Sequence, residues 1–185
     1  YYDAGFRSFY TEHEPVNATK DLEGLKIRVM ESVTAMDMVK SLGGSPTPIS
    51  WGELYTSLQQ GVVDGAENNL PSFYLSRHYE VCPYYALDEH TFSPDVLIVG
   101  TQLWNRLTEE EQEWVTEAVD GSVKYQRLLW EASEAEALEA IKKAGVEISY
   151  PDKEHFVQMT KQMYSAYEED KELNKLIQQI KSLAN

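Results

Sequence analysis

Cysteine is almost absent from this sequence. Cys82 is the single cysteine in 185 residues, which excludes an internal disulfide framework and a multi-cysteine metal site. The four histidines, at positions 13, 78, 90 and 155, show no metal-ligand spacing. We therefore expect neither a metal site nor a cofactor.

Long apolar runs are absent as well. A run such as VLIV at 96–99 is far shorter than the roughly 20 residues that a membrane-spanning helix needs. No signal peptide is visible, and the opening YYDAGFRSFY is typical of the middle of a protein. We expect a chain without membrane insertion that lacks its amino-terminal part.

Basic residues are scarce. The chain has 16 Lys and Arg against 31 Asp and Glu, and its formal net charge is -15. This balance argues against nucleic acids and anionic membranes, because both select a basic surface. A small anionic ligand stays possible, since salt screens distant charges beyond about 8 Å and one local arginine can bind it.

No catalytic signature is present. The sequence has no GxSxG elbow, P-loop, dinucleotide-binding GxGxxG or HExxH. Acidic pairs arise by chance among 31 carboxylates. An enzyme that acts on an anionic substrate, with Glu67 or Glu53 as base, is therefore the weaker alternative to a binding protein.

The sequence does contain an alternation of short apolar strands and amphipathic helices. KIRV at 26–29 predicts a strand, and Ser32 is placed to cap a helix that ends at Gly43 and Gly44. SPTPIS at 45–50 predicts a strand of two or three residues at most.

The next segment repeats this pattern. Ser50 and Glu53 have the spacing of a capping box for a helix that stops at Gly61, and VVDGAEN at 62–68 predicts another strand. Such alternation predicts an α/β fold with parallel strands, in which ligands bind beyond the carboxyl ends of the strands.

The region after residue 80 predicts further elements. We expect a loop at 88–94, a buried strand at 95–99, a strand at 146–150 and a last helix that Asp152 caps. A capping box of Thr108 and Glu111 opens a helix over about 108–144, which would be roughly 55 Å long if continuous. That length suits a helix that braces two lobes.

Arg28 is the strongest signal of a site, because it lies in an otherwise apolar strand. Arginine is seldom buried unless it has a partner. The partner is either a structural carboxylate or an anionic ligand, and the residues alone leave both open. A guanidinium suits a ligand carboxylate because it donates two parallel hydrogen bonds.

Four other residues have simpler interpretations when each is considered alone. Asn68 is typical of a turn, and Trp51 of a helix core. Arg7 is most simply a surface arginine and His90 a polar loop residue. Asn68 nevertheless follows a strand as Arg28 does, and its amide can both donate to and accept from a polar ligand.

Taken together, the motifs carry a resemblance to a known family. KIRVMES at 26–32 and SLGGSPTPISWGELYTSLQQGVVDGAENN at 41–69 resemble the signature region of the DctP-type solute-binding proteins of TRAP transporters. The similarity runs from about residue 5 to residue 100, and the long helix after it also fits. The resemblance implies a periplasmic-binding-protein-like α/β clamshell with two lobes, in a truncated version.

The resemblance also implies the site residues. Arg28, in KIRV, is expected to bind the carboxylate of the ligand, and Asn68, in DGAEN, to bind the same region. Trp51 is expected to pack on the ligand. Arg7, in GFR, and His90, before SPDV, are expected to add a polar contact each.

The resemblance also implies how the chain is divided into lobes and what it does. Residues 1–90 are expected to form the complete second lobe, and residues 91–185 the carboxyl-terminal elements of the first lobe, with the bracing helix at about 108–144. We expect a periplasmic receptor that captures an organic carboxylate, a sugar acid such as a hexuronate or aldonate or a C4-dicarboxylate, and delivers it to the TRAP membrane subunits. The sensing domain of a signalling protein is the other alternative.

Overall fold

Seven strands form one sheet in the computed structural model, which describes residues 1–183. Residues 184 and 185, the last two of the predicted segment 91–185, lie outside the described residues. The strands are β1 (Tyr2–Thr11), β2 (Lys26–Val29), β3 (Ser45–Pro48), β4 (Gly65–Asn68), β5 (Tyr84–Ala86), β6 (Thr91–Asp95) and β7 (Glu147–Ser149). Their order is β3-β2-β4-β1-β5-β7, and β6 pairs with β1.

The strand directions bring several carboxyl ends to one edge of the sheet. β2 runs parallel to β3 and β4, and β5 runs parallel to β7. β1 is antiparallel to both β4 and β5, so its amino-terminal half lies at that same edge. This edge is where the predicted α/β pattern places a ligand.

Helices connect the strands. They are α1 (Val33–Ser41), α2 (Trp51–Gln59), α3 (Leu70–Leu75), α4 (Thr101–Trp104), α5 (Glu109–Lys143), α6 (Lys153–Thr160) and α7 (Lys171–Leu183). Short 3-10 turns span Thr19–Leu22, His78–Glu80 and Lys161–Tyr167. Within residues 1–183, no helix has the length and the apolar character needed to cross a bilayer.

Most predicted helix ends are confirmed. The Ser32 hydroxyl accepts a hydrogen bond from the Ala35 amide, and Gly43 ends α1 with a φ of 95°. Asp152 caps α6, although α7 follows it, so α6 is not the last helix. At α2 the predicted capping box is wrong: Ser50 donates to the Glu53 carboxylate at 2.7 Å and caps no backbone amide.

The long helix is present, and it is attached to β1. Its 35 residues correspond to about 52 Å, and the Thr108 capping box is confirmed. Ala137 is buried near its carboxyl end. Asp3 and Gln126 exchange two hydrogen bonds between β1 and α5, at 2.9 Å and 2.6 Å.

Two apolar cores lie against the sheet. Phe9 and Tyr10 are neighbours in β1, so their side chains point to opposite faces, and they enter different cores. The Phe9 core includes side chains from α1 and α6, and the Tyr10 core includes side chains from α2, α3 and α5. The sheet is therefore covered on both faces, as the α/β prediction requires.

The predicted buried strand at 95–99 is wrong. The strand is β6, which begins inside the predicted loop at Thr91 and ends at Asp95, and Ile98 beyond it is 84% exposed. Asp95 is opposite Tyr2, so the pairing of β6 with β1 ends at the second residue of the given sequence. An apolar run predicts a buried strand only where a neighbouring strand is available.

Two other predicted strands differ in extent. β3 has four residues rather than two or three. β4 begins at Gly65 rather than at residue 62. The predicted division into lobes at residue 90 stays a prediction, and both β6 and β7 join the sheet of the first 90 residues.

Candidate functional site

Arg28 lies in β2 at the carboxyl edge of the sheet and is 4% exposed. Its Nε donates a hydrogen bond to the carbonyl oxygen of Ile49 at 2.8 Å. Its guanidinium carbon lies 5.7 Å from the ring centre of Trp51, a cation–π distance. These contacts fix the side chain beside the first turn of α2.

No carboxylate pairs with Arg28 among the described residues. The two terminal nitrogens of Arg28, Nη1 and Nη2, have no hydrogen-bond partner among residues 1–183. Burial lowers the pKa of Arg28 from its ordinary value, and the positive charge of Arg7 acts in the same direction. Arginine nonetheless stays charged near neutral pH, so the edge holds a buried positive charge with free donors.

Arg7, by contrast, donates hydrogen bonds from all three of its guanidinium nitrogens. Its Nε lies 2.5 Å from Oε2 of Glu67, its Nη2 lies 2.7 Å from Oε1, and its Nη1 donates to Oδ1 of Asn68 at 2.9 Å. Burial acts to lower the pKa of Arg7, but the bonds and charge of Glu67 outweigh it and the pKa is raised. The interpretation of Arg7 as a surface arginine is wrong, because the residue is buried.

The register of the strands explains which arginine receives the carboxylate. Phe9 is opposite Glu67 in the β1–β4 pair, so Arg7, two residues before Phe9, is the diagonal neighbour of Glu67 on the same face. Arg28 is opposite Ala66 and therefore lies on the other face of the sheet.

His90 joins the Arg7 group from the loop after β5. Its Nδ1 lies 2.5 Å from Oδ2 of Asp88, its Nε2 lies 3.6 Å from Oε2 of Glu67, and its ring stacks on Phe9. Burial acts to lower the pKa of His90, but the neighbouring Asp88 and Glu67 raise it to about 9. The imidazole is therefore protonated near neutral pH. Its side chain is only 1% exposed, and a ligand contact stays a prediction.

Asn68 ends β4 and presents one free group. Its Oδ1 accepts hydrogen bonds from Arg7 and from the Asn69 amide, and its carbonyl oxygen accepts from the Tyr85 hydroxyl at 2.9 Å. Its Nδ2 has no acceptor among residues 1–183. Asn68 is thus a buried strand end with a spare donor rather than a turn residue.

Trp51 and His78 form the wall beside Arg28. Trp51 is 45% exposed, so it is not a core residue, and its ring centre lies 5.2 Å from that of His78. Nδ1 of His78 lies 2.9 Å from the Tyr10 hydroxyl. Burial lowers the pKa of His78 to about 4, and the charge of Arg28 adds to this effect, so the ring is neutral at pH 7.

Sequence reasoning does not place Glu67, Asp88 or His78 in the binding site, and it names Glu67 only as a possible base of the enzyme alternative. The signal for Glu67 was available, since it is an ionisable residue in a predicted strand, as Arg28 is. Its role as a catalytic base is not supported, because the neighbouring His90 and Arg7 lower the pKa of Glu67 despite its burial. Asp88 and His78 carry no spacing signal.

The site is an open edge rather than an enclosed cavity. A cavity of about 170 Å³ between β1 and α5 is lined by residues that include Phe6, Tyr85 and Leu138, and by none of the five predicted site residues. Within residues 1–183, no group of three or more His, Cys, Asp or Glu side chains is arranged to hold a metal ion.

Comparison with known proteins gives a family match. The family described as bacterial extracellular solute-binding protein, family 7 (DctP), matches residues 1–170. A solute-binding protein of Chromohalobacter salexigens is 40% identical over 182 residues, which are 97% of this chain and 54% of that protein. The chain thus spans about half the length of this curated relative.

Solved structures agree with the fold. A TRAP periplasmic solute-binding protein of Xanthobacter autotrophicus with bound β-D-galacturonate is similar with a TM-score of 0.91 and 41% identity, over 98% of this chain and 60% of that one. Another, from Chromohalobacter salexigens with bound D-glucuronate, has a TM-score of 0.94 and 39% identity, over 98% of this chain and 61% of that one. The predicted α/β fold with its long helix is confirmed.

Proposed function

The chain belongs to the DctP family of bacterial extracellular solute-binding proteins, and from this premise we propose that it carries the carboxylate-binding part of a periplasmic receptor. The receptor captures an organic acid and delivers it to the membrane subunits of a TRAP-type transporter. The family consists of binding proteins, not enzymes, so the proposed mechanism is binding without chemistry.

The observation that carries this proposal is the unpaired guanidinium of Arg28. A buried charge without a partner is costly, and proteins keep such groups where they serve a site. Arg28 is held by Ile49 on one side and Trp51 on the other, with both terminal nitrogens free among the described residues. A carboxylate that accepts two parallel hydrogen bonds from these nitrogens completes the group.

A sugar acid is the ligand class that we propose. Both structural neighbours described above contain a hexuronate. The free Nδ2 of Asn68 can donate to a ring or hydroxyl oxygen, and the exposed face of Trp51 can pack on the apolar C–H face of a sugar ring.

Arg7 orients the side chain of Asn68. It donates a hydrogen bond to Oδ1 of Asn68, so the amide nitrogen Nδ2 stays available for the ligand. Direct contacts of Arg7 and His90 with the ligand stay predictions.

The two-lobed division at residue 90 is part of the proposal for the whole protein. Closure of the first lobe over the Arg28 edge excludes water and strengthens each charge-assisted hydrogen bond. The closed form is favoured only by its higher affinity for the ligand, and the membrane subunits are proposed to recognise that form.

Substitution of Arg28 by lysine in the intact protein tests the proposal. Lysine keeps the charge but loses the bidentate geometry, so we expect D-glucuronate or D-galacturonate binding to weaken by about 1.5–3 kcal/mol in calorimetry. Arg77→Lys is the matched control, because Arg77 is exposed and its one ionic partner among the described residues is Glu80. Unchanged affinity in Arg28→Lys removes Arg28 from the site.

A further inference from the structure

The buried ring of His78 has one nitrogen that is free. His78 is 2% exposed, and its Nδ1 lies 2.9 Å from the Tyr10 hydroxyl. Nε2, the other ring nitrogen, has no hydrogen-bond partner among the described residues. The fully enclosed side-chain N and O atoms that lack a partner in the same part of the chain belong to Glu12, His90 and Trp130. Nε2 of His78 is not one of them, so it reaches the surface and is open to a ligand or to water.

The register of the sheet places this ring close to the free guanidinium. Arg28 is opposite Ala66, and Ala66 is opposite Tyr10, so Arg28 and Tyr10 lie on the same face of the sheet. The ring of Trp51 lies 5.2 Å from the His78 ring and 5.7 Å from the guanidinium carbon of Arg28. His78 and Arg28 are therefore neighbours around one aromatic ring.

The Tyr10 hydroxyl determines which nitrogen of His78 carries the proton. Tyr10 is fully buried, and His78 is the one partner of its hydroxyl among residues 1–183. A proton on Nδ1 would be donated to the Tyr10 oxygen, and the hydroxyl proton would then be buried without an acceptor, which is costly. When the hydroxyl donates to Nδ1 instead, the proton of the neutral ring lies on Nε2. Nε2 is thus a free hydrogen-bond donor.

Carboxylates of the protein itself leave this donor free. Those at the carboxyl edge or beside the ring are Glu31, Glu53, Glu80 and Glu89. None of them accepts a hydrogen bond from Nε2 in the described part of the chain. Three of them have other partners, which are Ser50, Tyr55 and Lys153. The acceptor for Nε2 must therefore come from outside these residues.

We propose that His78 is a further ligand-binding residue, which donates a hydrogen bond from Nε2 to the carboxylate that Arg28 binds. This inference rests on the proposed function. A carboxylate has about four acceptor positions, so two hydrogen bonds from Arg28 leave room for a third. A neutral donor suits this place, because a second positive charge would be repelled by Arg28. Tyr10 acts through His78 as a positioning residue, since its hydroxyl keeps the proton on Nε2.

Two substitutions in the intact protein separate the donor from the packing of the ring. The short amide of His78→Asn reaches only the Nδ1 position and loses the donor, whereas the longer amide of His78→Gln can donate from the Nε2 position. We expect calorimetry at pH 7 to give D-glucuronate or D-galacturonate binding that is at least about fivefold weaker in His78→Asn and within about threefold of the parent in His78→Gln. His13→Asn is the matched control and should not change the affinity, since His13 is exposed and lies beyond the far end of β1.

The outcomes distinguish this inference from the proposed function. Unchanged affinity in His78→Asn overturns the inference. An equal or greater loss in His78→Gln also overturns it, because that loss reports the packing of the ring rather than its donor. Either result leaves the proposed function intact when Arg28→Lys weakens binding. A parent protein that binds no organic acid overturns the proposed function, and the inference with it.

Nitrogen NMR of the parent protein tests the tautomer without a substitution at His78. We expect the signals of the Nε2–H tautomer at pH 7 and a shift of the Nε2 resonance when D-glucuronate or D-galacturonate is added. Signals of the Nδ1–H tautomer, or an Nε2 resonance that a bound ligand does not move, overturn the inference. Tyr10→Phe is expected to raise the population of the Nδ1–H tautomer, and an unchanged population removes Tyr10 from its positioning role.

Discussion

Glu67 binds Arg7 through both oxygens of its carboxylate, at 2.5 Å from Nε and 2.7 Å from Nη2. Arg28 lies one strand away and has no such partner among the described residues. Two buried arginines at one edge of the sheet therefore have opposite roles. Arg7 belongs to the internal structure, and Arg28 is the group that we propose receives the ligand.

The two arginines are expected to differ in their effect on stability. Arg7→Gln leaves Glu67 buried without its main partner and should lower the free energy of unfolding by about 3–5 kcal/mol. Arg28→Gln removes one hydrogen bond to a carbonyl oxygen and strands no carboxylate, so the loss should be at most about 1 kcal/mol. Urea denaturation of the intact protein without ligand measures both. Equal losses of unfolding free energy in the two variants would contradict the conclusion that Arg28 has no carboxylate partner.

Stability should fall as pH rises above neutrality because of His90. The folded protein holds the His90 proton up to a pKa of about 9, whereas the unfolded chain releases it near 6.5. The stabilisation is thus fully present below pH 6.5 and is lost between about pH 6.5 and 9, with a total of about 3 kcal/mol. Urea midpoints at several pH values measure this slope, and His90→Gln should flatten it. A slope that persists unchanged in the variant rules out His90 as its source.

His78 is expected to make the protein less stable as the pH falls below neutrality. Its pKa is lowered to about 4, so between pH 6.5 and 4 the unfolded chain binds a proton that the folded protein does not take up. This contribution to stability is present above pH 6.5 and is lost as the pH falls toward 4. His78→Gln keeps a hydrogen-bonding group for the Tyr10 hydroxyl and should reduce the acid slope in thermal denaturation. An identical acid profile in parent and variant contradicts the lowered pKa.

Gly5 should tolerate no side chain. It has a φ of 72°, and a Cβ added there would lie 2.4 Å from Oε1 of Glu134 and 2.8 Å from Nε1 of Trp130 on α5. Gly5→Ala is expected to lower the free energy of unfolding by about 1–3 kcal/mol.

Gly121→Ala is the control for Gly5→Ala. Gly121 lies inside α5 with open space around it, and alanine there should stabilise the protein by about 0.5–1 kcal/mol. Urea denaturation compares the two, and a loss at Gly121 as large as that at Gly5 would show that the contact with Trp130 is not the cause.

The parts of the fold that local chemistry determines could be predicted from the sequence. Ser32 and Thr108 begin helices as expected, because a cap needs only its neighbours in the chain. The apolar segment at 95–99 could not be interpreted in this way, since burial of a strand depends on partners that its local sequence does not show.

Prediction of the site from the sequence meets the same limit. The sequence identifies Arg7 and Arg28 as candidates, but only the antiparallel register of β1 and β4 decides which of them receives Glu67. The partnership of Asp88 and His90 with this group likewise depends on a loop that folds over Phe9.

The attachment of α5 gives the fold a mechanical property. The helix is buried at Ala137, near one end, while Trp114 near the other end is 58% exposed. Gln126, halfway along the helix, is bonded to Asp3 in the strand that carries Arg7, so α5 is fixed to the sheet at its middle as well as at Ala137. The residues before this attachment, 109–125, therefore form a straight arm of about 25 Å whose direction is set by the strand.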